Sequence, residues 1–331
     1  MRQVFLGRLS SICIHRYQLT NPTLTPSSSG LAALTQAQLD TWAVQACTYA
    51  LDGHLPNYIP LLALANPTWF AVQVRGKGDR LHTFGNTSLS FPLMSVVKPF
   101  VLLFLLEQLG TAAVFSQVGM VPSDESFNSL IQLQADQGWP RNPMINSGAI
   151  VLASLLPGQD ARTRCEGLRQ WLNQQADCQL FLDEQMLISV LSLENKRNRA
   201  IVSLLEQSHH LELGDMALDT YNRICCLSGT VADLSSLGML LVQGKGIVLP
   251  AHSRVVNAIM TTCGLYEASG RFAVQVGLPT KSGVSGAMLS VVPNQGAIAC
   301  YSPPLDPMGN SKAGQFFLQQ MTHALNLSVF G

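Results

Sequence analysis

A serine and a lysine, Ser95 and Lys98, lie three residues apart where the long apolar run of residues 100–106 begins. If a helix begins at Ser95, the two side chains share one face of it, and the lysine amine can approach the serine hydroxyl. A serine becomes a nucleophile when an adjacent base takes its proton, and a lysine can be that base only if burial lowers its pKa. The free N–H groups at the helix start can also help to hold an oxyanion.

The S-x-x-K spacing is a weak signal, and Ser95 has a simpler interpretation as the N-cap of a buried helix. Pro99 weighs against a regular helix, because a proline disfavours α geometry in the residue before it, here Lys98. A proline is nevertheless tolerated in the first turn of a helix, where its missing N–H would have no partner. The spacing alone leaves both interpretations open.

A second motif, Lys281-Ser282-Gly283, lies near the C-terminus. Serine β-lactamases and penicillin-binding proteins combine S-x-x-K with a later K-T-G, and K-S-G is a close variant in the same chain order. Two of the six lysines of the chain fall in these two motifs. We expect the triplet to open the first strand of a C-terminal hairpin, where its glycine lets a ligand approach the backbone. The alternative is an ordinary Gly/Ser-rich turn before a strand.

The elements that must position these motifs are two hairpins separated by a helical block. Residues 69–75 and 80–86 alternate as strands around a Gly-rich turn, and residues 286–293 and 296–302 do so around Asn-Gln-Gly. The stretch from Ser95 to about residue 245 is mostly helical in pattern. The sequence therefore predicts an α+β fold, in which one antiparallel sheet contains strands from both chain ends and packs against helices.

Helix signals and composition divide the chain into an arm and one domain. Residues 1–35 end in the Pro/Ser-rich string NPTLTPSSSG and are predicted to be a flexible N-terminal arm, with a single domain over residues 36–331. The arm is followed by a predicted amphipathic helix in TQAQLDTWAVQACTYALDG. A later helix is predicted to begin at the N-cap Thr230, with Asp233 three residues on, and to stop at Gly244.

Composition excludes several classes of protein and partner. Apolar residues make up 47% of the 331 residues and charged residues 12%, and Lys+Arg and Asp+Glu balance at 20 each, so neither nucleic acid nor a membrane surface is expected as a partner. The longest apolar run is far shorter than a membrane span. Eight cysteines without a C-x-x-C pair indicate reduced core thiols, and therefore a cytoplasmic protein. No metal or cofactor motif is present.

A third stretch, WPRNPMINSGAI at residues 139–150, narrows the choice of hydrolase. A buried asparagine such as Asn146 must find partners for its amide, although it can do so simply by fixing a loop. The string resembles the R-N-P-x-I-N-A-G-A signature of the serine-dependent, β-lactamase-like glutaminases. The resemblance extends from about residue 50 to the C-terminus and includes residues 55–67, 127–143, 196–201 and 264–288.

This resemblance implies a serine β-lactamase/transpeptidase-like fold and the hydrolysis of L-glutamine to L-glutamate and ammonia through an acyl-serine. By residue-by-residue match, Ser95 is the nucleophile, Lys98 its base and Tyr221 a proton relay. The N–H groups of Ser95 and Val284 form the oxyanion hole, and Lys281 supplies positive charge near the substrate. The implied substrate-binding positions are Ser95, Asn146, Glu194, Asn198, Tyr221, Tyr266, Lys281 and Val284. The resemblance also implies a homo-oligomer, commonly a homotetramer.

Three departures from the family pattern stand out. Ser147 and Ser285 replace an alanine and a glycine, and both changes are small. The substrate-binding glutamate of the family falls on Leu191, so Glu194 takes that role only if the segment carries a three-residue deletion. The sequence leaves two alternatives open, a penicillin-interacting serine hydrolase and a catalytically inactive homologue that binds glutamine. On residue type alone, Tyr221 can be an ordinary half-buried tyrosine and Glu194 a solvated charge.

Overall fold

The structure, a computed structural model, describes residues 30–331 apart from 79, 124, 193–194 and 243–247. The strands of the described residues are β1 Ala71–Gly76, β2 Leu81–Gly85, β3 Phe91–Pro92, β4 Phe181–Leu182, β5 Leu227–Gly229, β6 Thr280–Ser282, β7 Ala287–Val292 and β8 Gly296–Tyr301. Their α-helices are α1 Gln36–Tyr49, α2 Lys98–Phe115, α3 Leu130–Ala135, α4 Asn146–Ser154, α5 Ala161–Ala176, α6 Glu184–Leu191, α7 Lys196–Gln207, α8 Gly214–Cys225, α9 Val231–Met239, α10 Pro250–Cys263, α11 Ser269–Gln275 and α12 Lys312–Leu325.

The main sheet confirms the predicted union of both chain ends. Its five strands run in the order β2-β1-β8-β7-β6, and every neighbouring pair is antiparallel. The N-terminal hairpin β1–β2 and the C-terminal hairpin β7–β8 both form where the sequence predicted them. The two hairpins are joined by β1 and β8, with Ala71 opposite Tyr301 and Gly76 opposite Gly296. The helices α2 to α11 are inserted between them, so the α+β fold class is confirmed.

Two features of the strands differ from the prediction. Lys281 and Ser282 do not open the C-terminal hairpin, because they end a separate edge strand, β6, which pairs with β7 through Lys281 opposite Leu289. The turn between Ser282 and Ala287 makes β6–β7 a hairpin of its own. A second sheet of three short strands, in the order β3-β5-β4, was not predicted. Strands of two or three residues carry too little alternation to be recognised.

The helix α2 passes through the core. Every residue from 100 to 106 is buried, as expected of a core helix. The helical stretch Met94–Phe115 is long and apolar enough to span a membrane by length and composition alone, but most of its most apolar part is buried inside the protein, as in the core helix of a folded domain. Within α2 the backbone departs from helical geometry at Gly110, where φ is +80°. The buried half of α2 thus supports, away from water, the turn at residues 94–97 that precedes it.

The caps of the helices agree with the sequence pattern. Thr35 and Gln38 form a capping box at the start of α1, and Thr230 and Asp233 form the predicted one at the start of α9. The helix α9 ends at Met239, whereas the predicted stop at Gly244 lies outside the described residues. Most of the predicted N-terminal arm also lies outside them, so its flexibility stays a prediction.

Candidate active site

Ser95 lies in a single 3₁₀ turn, Met94–Val97, that runs directly into α2 at Lys98. Val97, not Ser95, is the N-cap residue of α2, so the interpretation of Ser95 as a helix cap is wrong. Lys98 has helical dihedral angles despite Pro99, with φ −56° and ψ −43°. Met94 has φ +47°, a left-handed conformation that is strained for a side chain of this size and that clusters at functional sites.

A hydrogen-bonded network joins Lys98 to three other predicted site residues. The Lys98 Nζ donates to the Met144 carbonyl and to Asn146 Oδ1, both at 2.9 Å. The Tyr221 hydroxyl donates to the same Asn146 Oδ1 at 3.0 Å. The amide nitrogen of Asn146 in turn donates to Asn198 Oδ1 at 2.9 Å. The four polar side chains come from α2, α4, α7 and α8 and form one continuous chain of contacts.

Burial sets the protonation of this network. Lys98 is 2% exposed, and desolvation lowers the pKa of its amine from the ordinary value to about 8. Desolvation, with the neighbouring Cys225 thiol as the next cause, raises the pKa of Tyr221 well above its usual value. At pH 7 about a tenth of Lys98 is therefore in the basic neutral form, while Tyr221 keeps its proton and can donate it.

The turn after β6 packs tightly against the 3₁₀ turn that carries Ser95. A Cβ added to Gly283 would lie 2.7 Å from the Leu93 carbonyl oxygen, so only glycine allows this approach. The sequence predicted that this glycine lets a ligand approach the backbone. The structure shows that it lets the backbone of Leu93 approach. Val284 follows in the turn and is 9% exposed. The K-S-G motif therefore holds the Val284 backbone beside the turn that carries Ser95.

Tyr266 lies on the other side of Ser95, in a 3₁₀ turn between α10 and α11. Its φ is +55°. Its hydroxyl contacts the Ser95 side chain and donates to the Ser282 carbonyl at 3.4 Å. Burial raises the pKa of Tyr266 to about 12, while the contacts with Ser95 and Ser282 act in the opposite direction. Lys281 lies behind this tyrosine, with its Nζ 4.6 Å from the ring centroid.

A cavity of about 640 Å³ opens over Ser95. Five predicted site residues line it, namely Ser95, Asn146, Asn198, Tyr221 and Val284. Tyr266 and Lys281 do not line this cavity, although Tyr266 touches Ser95 from outside it. Glu194 lies outside the described residues, so its role stays a prediction.

The cavity wall includes residues that the sequence did not single out. They are Tyr58, Ile59, Met94, Phe127, Asn128, Val190, Asn195, Lys196, Arg197, Asn222 and Cys225. Several fall in the stretches that carry the resemblance, but no spacing marks them, because the segments meet only in the fold. Arg197 links two of these segments, since its Nε donates to the Asn128 carbonyl at 3.1 Å. Among the described residues there is no group of three or more His, Cys, Asp or Glu side chains able to hold a metal ion.

Comparison with known proteins decides the family. The sequence model described as Glutaminase matches residues 53–330. A glutaminase of Synechocystis sp. is 43% identical over 302 residues, which cover 91% of this chain and 92% of the relative. The chain belongs to the glutaminase family. Its reaction is the hydrolysis of L-glutamine to L-glutamate and ammonia, and the predicted enzyme class, an amidohydrolase acting on a linear amide, is confirmed.

Solved glutaminase structures share the fold. The probable glutaminase ybaS superimposes with a TM-score of 0.83 at 33% identity, covering 90% of this chain and 99% of that one. The Bacillus subtilis glutaminase YbgJ superimposes with a TM-score of 0.80 at 27% identity, covering 89% and 99%. That structure is a covalent complex with 5-oxo-L-norleucine, formed by reaction with 6-diazo-5-oxo-L-norleucine. The β-lactamase-like fold predicted from the resemblance is confirmed.

Proposed function

We propose that Ser95 is the nucleophile of glutamine hydrolysis and that neutral Lys98 is its general base. Ser95 Oγ attacks the side-chain amide carbon of glutamine while Lys98 Nζ takes the hydroxyl proton. The tetrahedral intermediate expels ammonia and leaves a glutamyl ester on Ser95. Water then attacks the ester and releases L-glutamate. The covalent complex formed by the Bacillus subtilis relative supports a covalent route in this chain as well.

The observation that carries this proposal is the arrangement around the Lys98 amine. A neutral amine has two N–H donors and one lone pair. Its two donors are accounted for by the Met144 carbonyl and Asn146 Oδ1, so the remaining position on nitrogen is the lone pair. Because Ser95 lies three residues before Lys98 in the same helical stretch, we expect this lone pair to face the serine hydroxyl. The lowered pKa makes the neutral form accessible near neutral pH.

Tyr221 is placed to return the proton to the leaving group. Tyr221 lines the cavity, and the Lys98 Nζ lies 5.6 Å from the centroid of its ring, so the phenol can give its proton to the leaving nitrogen and recover one from the protonated Lys98. Its raised pKa keeps it protonated until the leaving nitrogen needs a donor. The backbone N–H groups of Ser95 and Val284 would hold the oxyanion, as the close packing of the two turns at Gly283 favours.

Substrate recognition is proposed for Asn146, Asn198, Tyr266 and Glu194. Asn198 lines the cavity and is already oriented by Asn146, which prepares it for a polar group of glutamine. A zwitterionic substrate also needs an acceptor for its ammonium group, and Glu194 would supply it. Replacing Glu194 by glutamine removes that charge at constant size, and we expect a rise in KM for L-glutamine with little change in kcat.

The experiment that tests the catalytic proposal is ammonia release from L-glutamine and, separately, from L-asparagine. We expect activity on glutamine that disappears in Ser95→Ala. The matched control is Ser147→Ala, because Ser147 is a buried serine next to Asn146 where the family pattern has alanine. The control should keep at least half of the activity. Full activity in Ser95→Ala would overturn the assignment of the nucleophile.

A cytoplasmic location and a homotetramer complete the proposal. The cytoplasm is reducing and keeps thiols free, which agrees with the buried free cysteines Cys165, Cys178, Cys225, Cys226, Cys263 and Cys300. The tetramer is supported only by the family resemblance. Cell fractionation of the native protein tests the first proposal, and light scattering of the purified chain tests the second. A mass equal to the 35.8 kDa of one chain would contradict the tetramer.

A further inference from the structure

Lys281 is a completely buried amine whose donors point at the backbone. Its relative exposure is 0%. Its Nζ donates to the Gly264 carbonyl at 2.9 Å and to the Ser282 carbonyl at 2.5 Å, and it lies over the ring of Tyr266. The resemblance predicts that this residue supplies positive charge near the substrate. The geometry points to a different use, because none of these contacts faces the cavity above Ser95.

The two carbonyls belong to segments that end at the reacting centre. Gly264 follows α10 and comes two residues before Tyr266, whose hydroxyl contacts Ser95. Ser282 ends β6 and comes two residues before Val284, which lines the cavity. The amine therefore ties together the backbone of the Tyr266 turn and the backbone of the Val284 turn. Since Tyr266 has a strained positive φ, the turn needs surrounding contacts to hold it.

The packing around Lys281 leaves little freedom for either segment. A Cβ added to Gly264 would lie 1.8 Å from the Thr280 carbonyl, so the end of α10 touches β6 backbone to backbone. Ser282 is fixed a second time, because its hydroxyl donates to Asn310 Oδ1 at 2.6 Å. Burial, followed by the charge of Lys98, lowers the pKa of Lys281 well below its ordinary value. A neutral amine still has the two N–H donors that both carbonyls require.

We propose that Lys281 is a positioning residue, which holds Tyr266 and the Val284 N–H in register with Ser95 through its two backbone hydrogen bonds. This inference rests on the proposed function, in which Ser95 is the nucleophile and Val284 contributes to the oxyanion hole. Lys281 does not pair with the carboxylate of the substrate. Its contribution is to the transition state, because a displaced oxyanion donor weakens the intermediate more than the bound ground state.

The test compares Lys281→Met with Lys281→Gln. Both variants are uncharged, but only the glutamine keeps an NH₂ donor that can reach a backbone carbonyl. For the positioning role we expect kcat to fall about 10²-fold in Lys281→Met and only about tenfold in Lys281→Gln, with KM changed by less than about threefold in both. Equal losses in the two variants, appearing as a rise in KM, would overturn the proposal, because they would mean that charge is what matters.

A substrate analogue separates the two roles directly. 4-Aminobutanamide is glutamine without its α-carboxylate. If Lys281 pairs with that carboxylate, the preference of the enzyme for L-glutamine over 4-aminobutanamide collapses in Lys281→Gln. For a positioning residue, kcat/KM falls by the same factor for both compounds and the ratio is unchanged. This ratio is internal to each variant, so it is unaffected by the fraction of molecules that is active.

Two controls keep the outcomes distinct. If Lys281→Met does not fold, as judged by circular dichroism and a thermal melt, the KM and ratio readouts of Lys281→Gln decide the question alone. Ser95→Ala is measured beside them. Activity that survives in Ser95→Ala refutes the proposed function itself. Loss of activity in Ser95→Ala, together with a collapsed glutamine preference in Lys281→Gln, refutes only the positioning role.

Discussion

The start of α2 and the strand β6 each place a buried lysine behind the active-site cavity, and they use it differently. Lys98 and Lys281 are 2% and 0% exposed, and each donates two hydrogen bonds. Lys98 gives one of its bonds to a side chain, Asn146, that lines the cavity and also meets Tyr221. Lys281 gives both of its bonds to backbone carbonyls. Lys98 is thus connected to the polar side chains of the cavity, and Lys281 to the backbone of the turns beside it.

The comparison shows that residue type and burial do not determine the role of a charged group. Both lysines have pKa values lowered by desolvation, so electrostatics alone would make either one a candidate base. The partners distinguish them. Lys98 bonds to a side chain that lines the cavity and also binds Tyr221, whereas Lys281 bonds to two backbone carbonyls of residues that do not line the cavity.

Replacing Lys98 by methionine should have the largest effect. The change removes the proposed base and leaves an apolar side chain of similar length in the core. We expect kcat/KM for L-glutamine to fall by roughly 10³-fold to 10⁴-fold. Steady-state ammonia release measures this loss. A decrease smaller than the one in Lys281→Met would reverse the assignment of the two lysines.

Asn146→Ala should come next. It removes the acceptor shared by Lys98 and Tyr221 and the donor to Asn198. We expect kcat to fall by about 10²-fold, because the lysine and tyrosine lose their common partner. The matched control is Asn310→Ala on the β6 side, where the Asn310 side chain accepts from the Ser282 hydroxyl. There kcat should fall less than tenfold, and comparable losses in both variants would remove the distinction between the two regions.

Gly264→Ala tests the backbone packing of α10 against β6, next to Lys281, through its effect on the free energy of unfolding. The new Cβ would lie 1.8 Å from the Thr280 carbonyl and 2.4 Å from the Met260 carbonyl, both of them backbone atoms. We expect the free energy of unfolding to fall by about 2–4 kcal/mol. Gly270→Ala is the control, because Gly270 lies in α11 with nothing within 4 Å of its Cβ position. It should be neutral or stabilise by up to about 1 kcal/mol. Chemical denaturation measures both variants, and equal stability would show that α10 and β6 can move apart.

We expect the ionisation of Lys98 to determine how kcat/KM depends on pH. Below its pKa of about 8 the amine is protonated and cannot accept the Ser95 proton. We therefore expect kcat/KM to rise about tenfold per pH unit at acid pH and to level off as the pH passes through about 8. Lys281→Gln should keep this profile at a lower amplitude. A profile that is flat across neutral pH in the unmodified enzyme would mean that a group other than Lys98 accepts the proton.

The sequence predicted the parts of the molecule that local patterns encode. The hairpin turns, the capping box at Thr230 and the apolar run of α2 each depend on residues close together in the chain. The family resemblance supplied the chemical roles. The structure joins Lys98, Asn146, Asn198 and Tyr221 by hydrogen bonds, and Ser95 lines one cavity with the last three of them.

The features that the sequence could not predict depend on contacts between distant segments. The backbone approach of Gly283 to Leu93 joins residues 93 and 283, and no local signal at either position reports it. The strained φ of Met94 is stable only because the surrounding core enforces it. The short strands β3, β4 and β5 pair residues that are far apart in the chain, such as Phe91 with Gly229 and Phe181 with Ser228, and they show no pattern of their own.

The most direct test of the central claim is to trap the acyl group. 6-Diazo-5-oxo-L-norleucine reacts covalently with the Bacillus subtilis relative, and its adduct can be located in this chain by digestion and mass spectrometry. We predict one adduct, on the peptide that contains Ser95, formed at a rate that rises with pH through about 8 and absent in Ser95→Ala. An adduct on any other residue, or labelling that persists unchanged in Ser95→Ala, would contradict the assignment of Ser95 as the nucleophile.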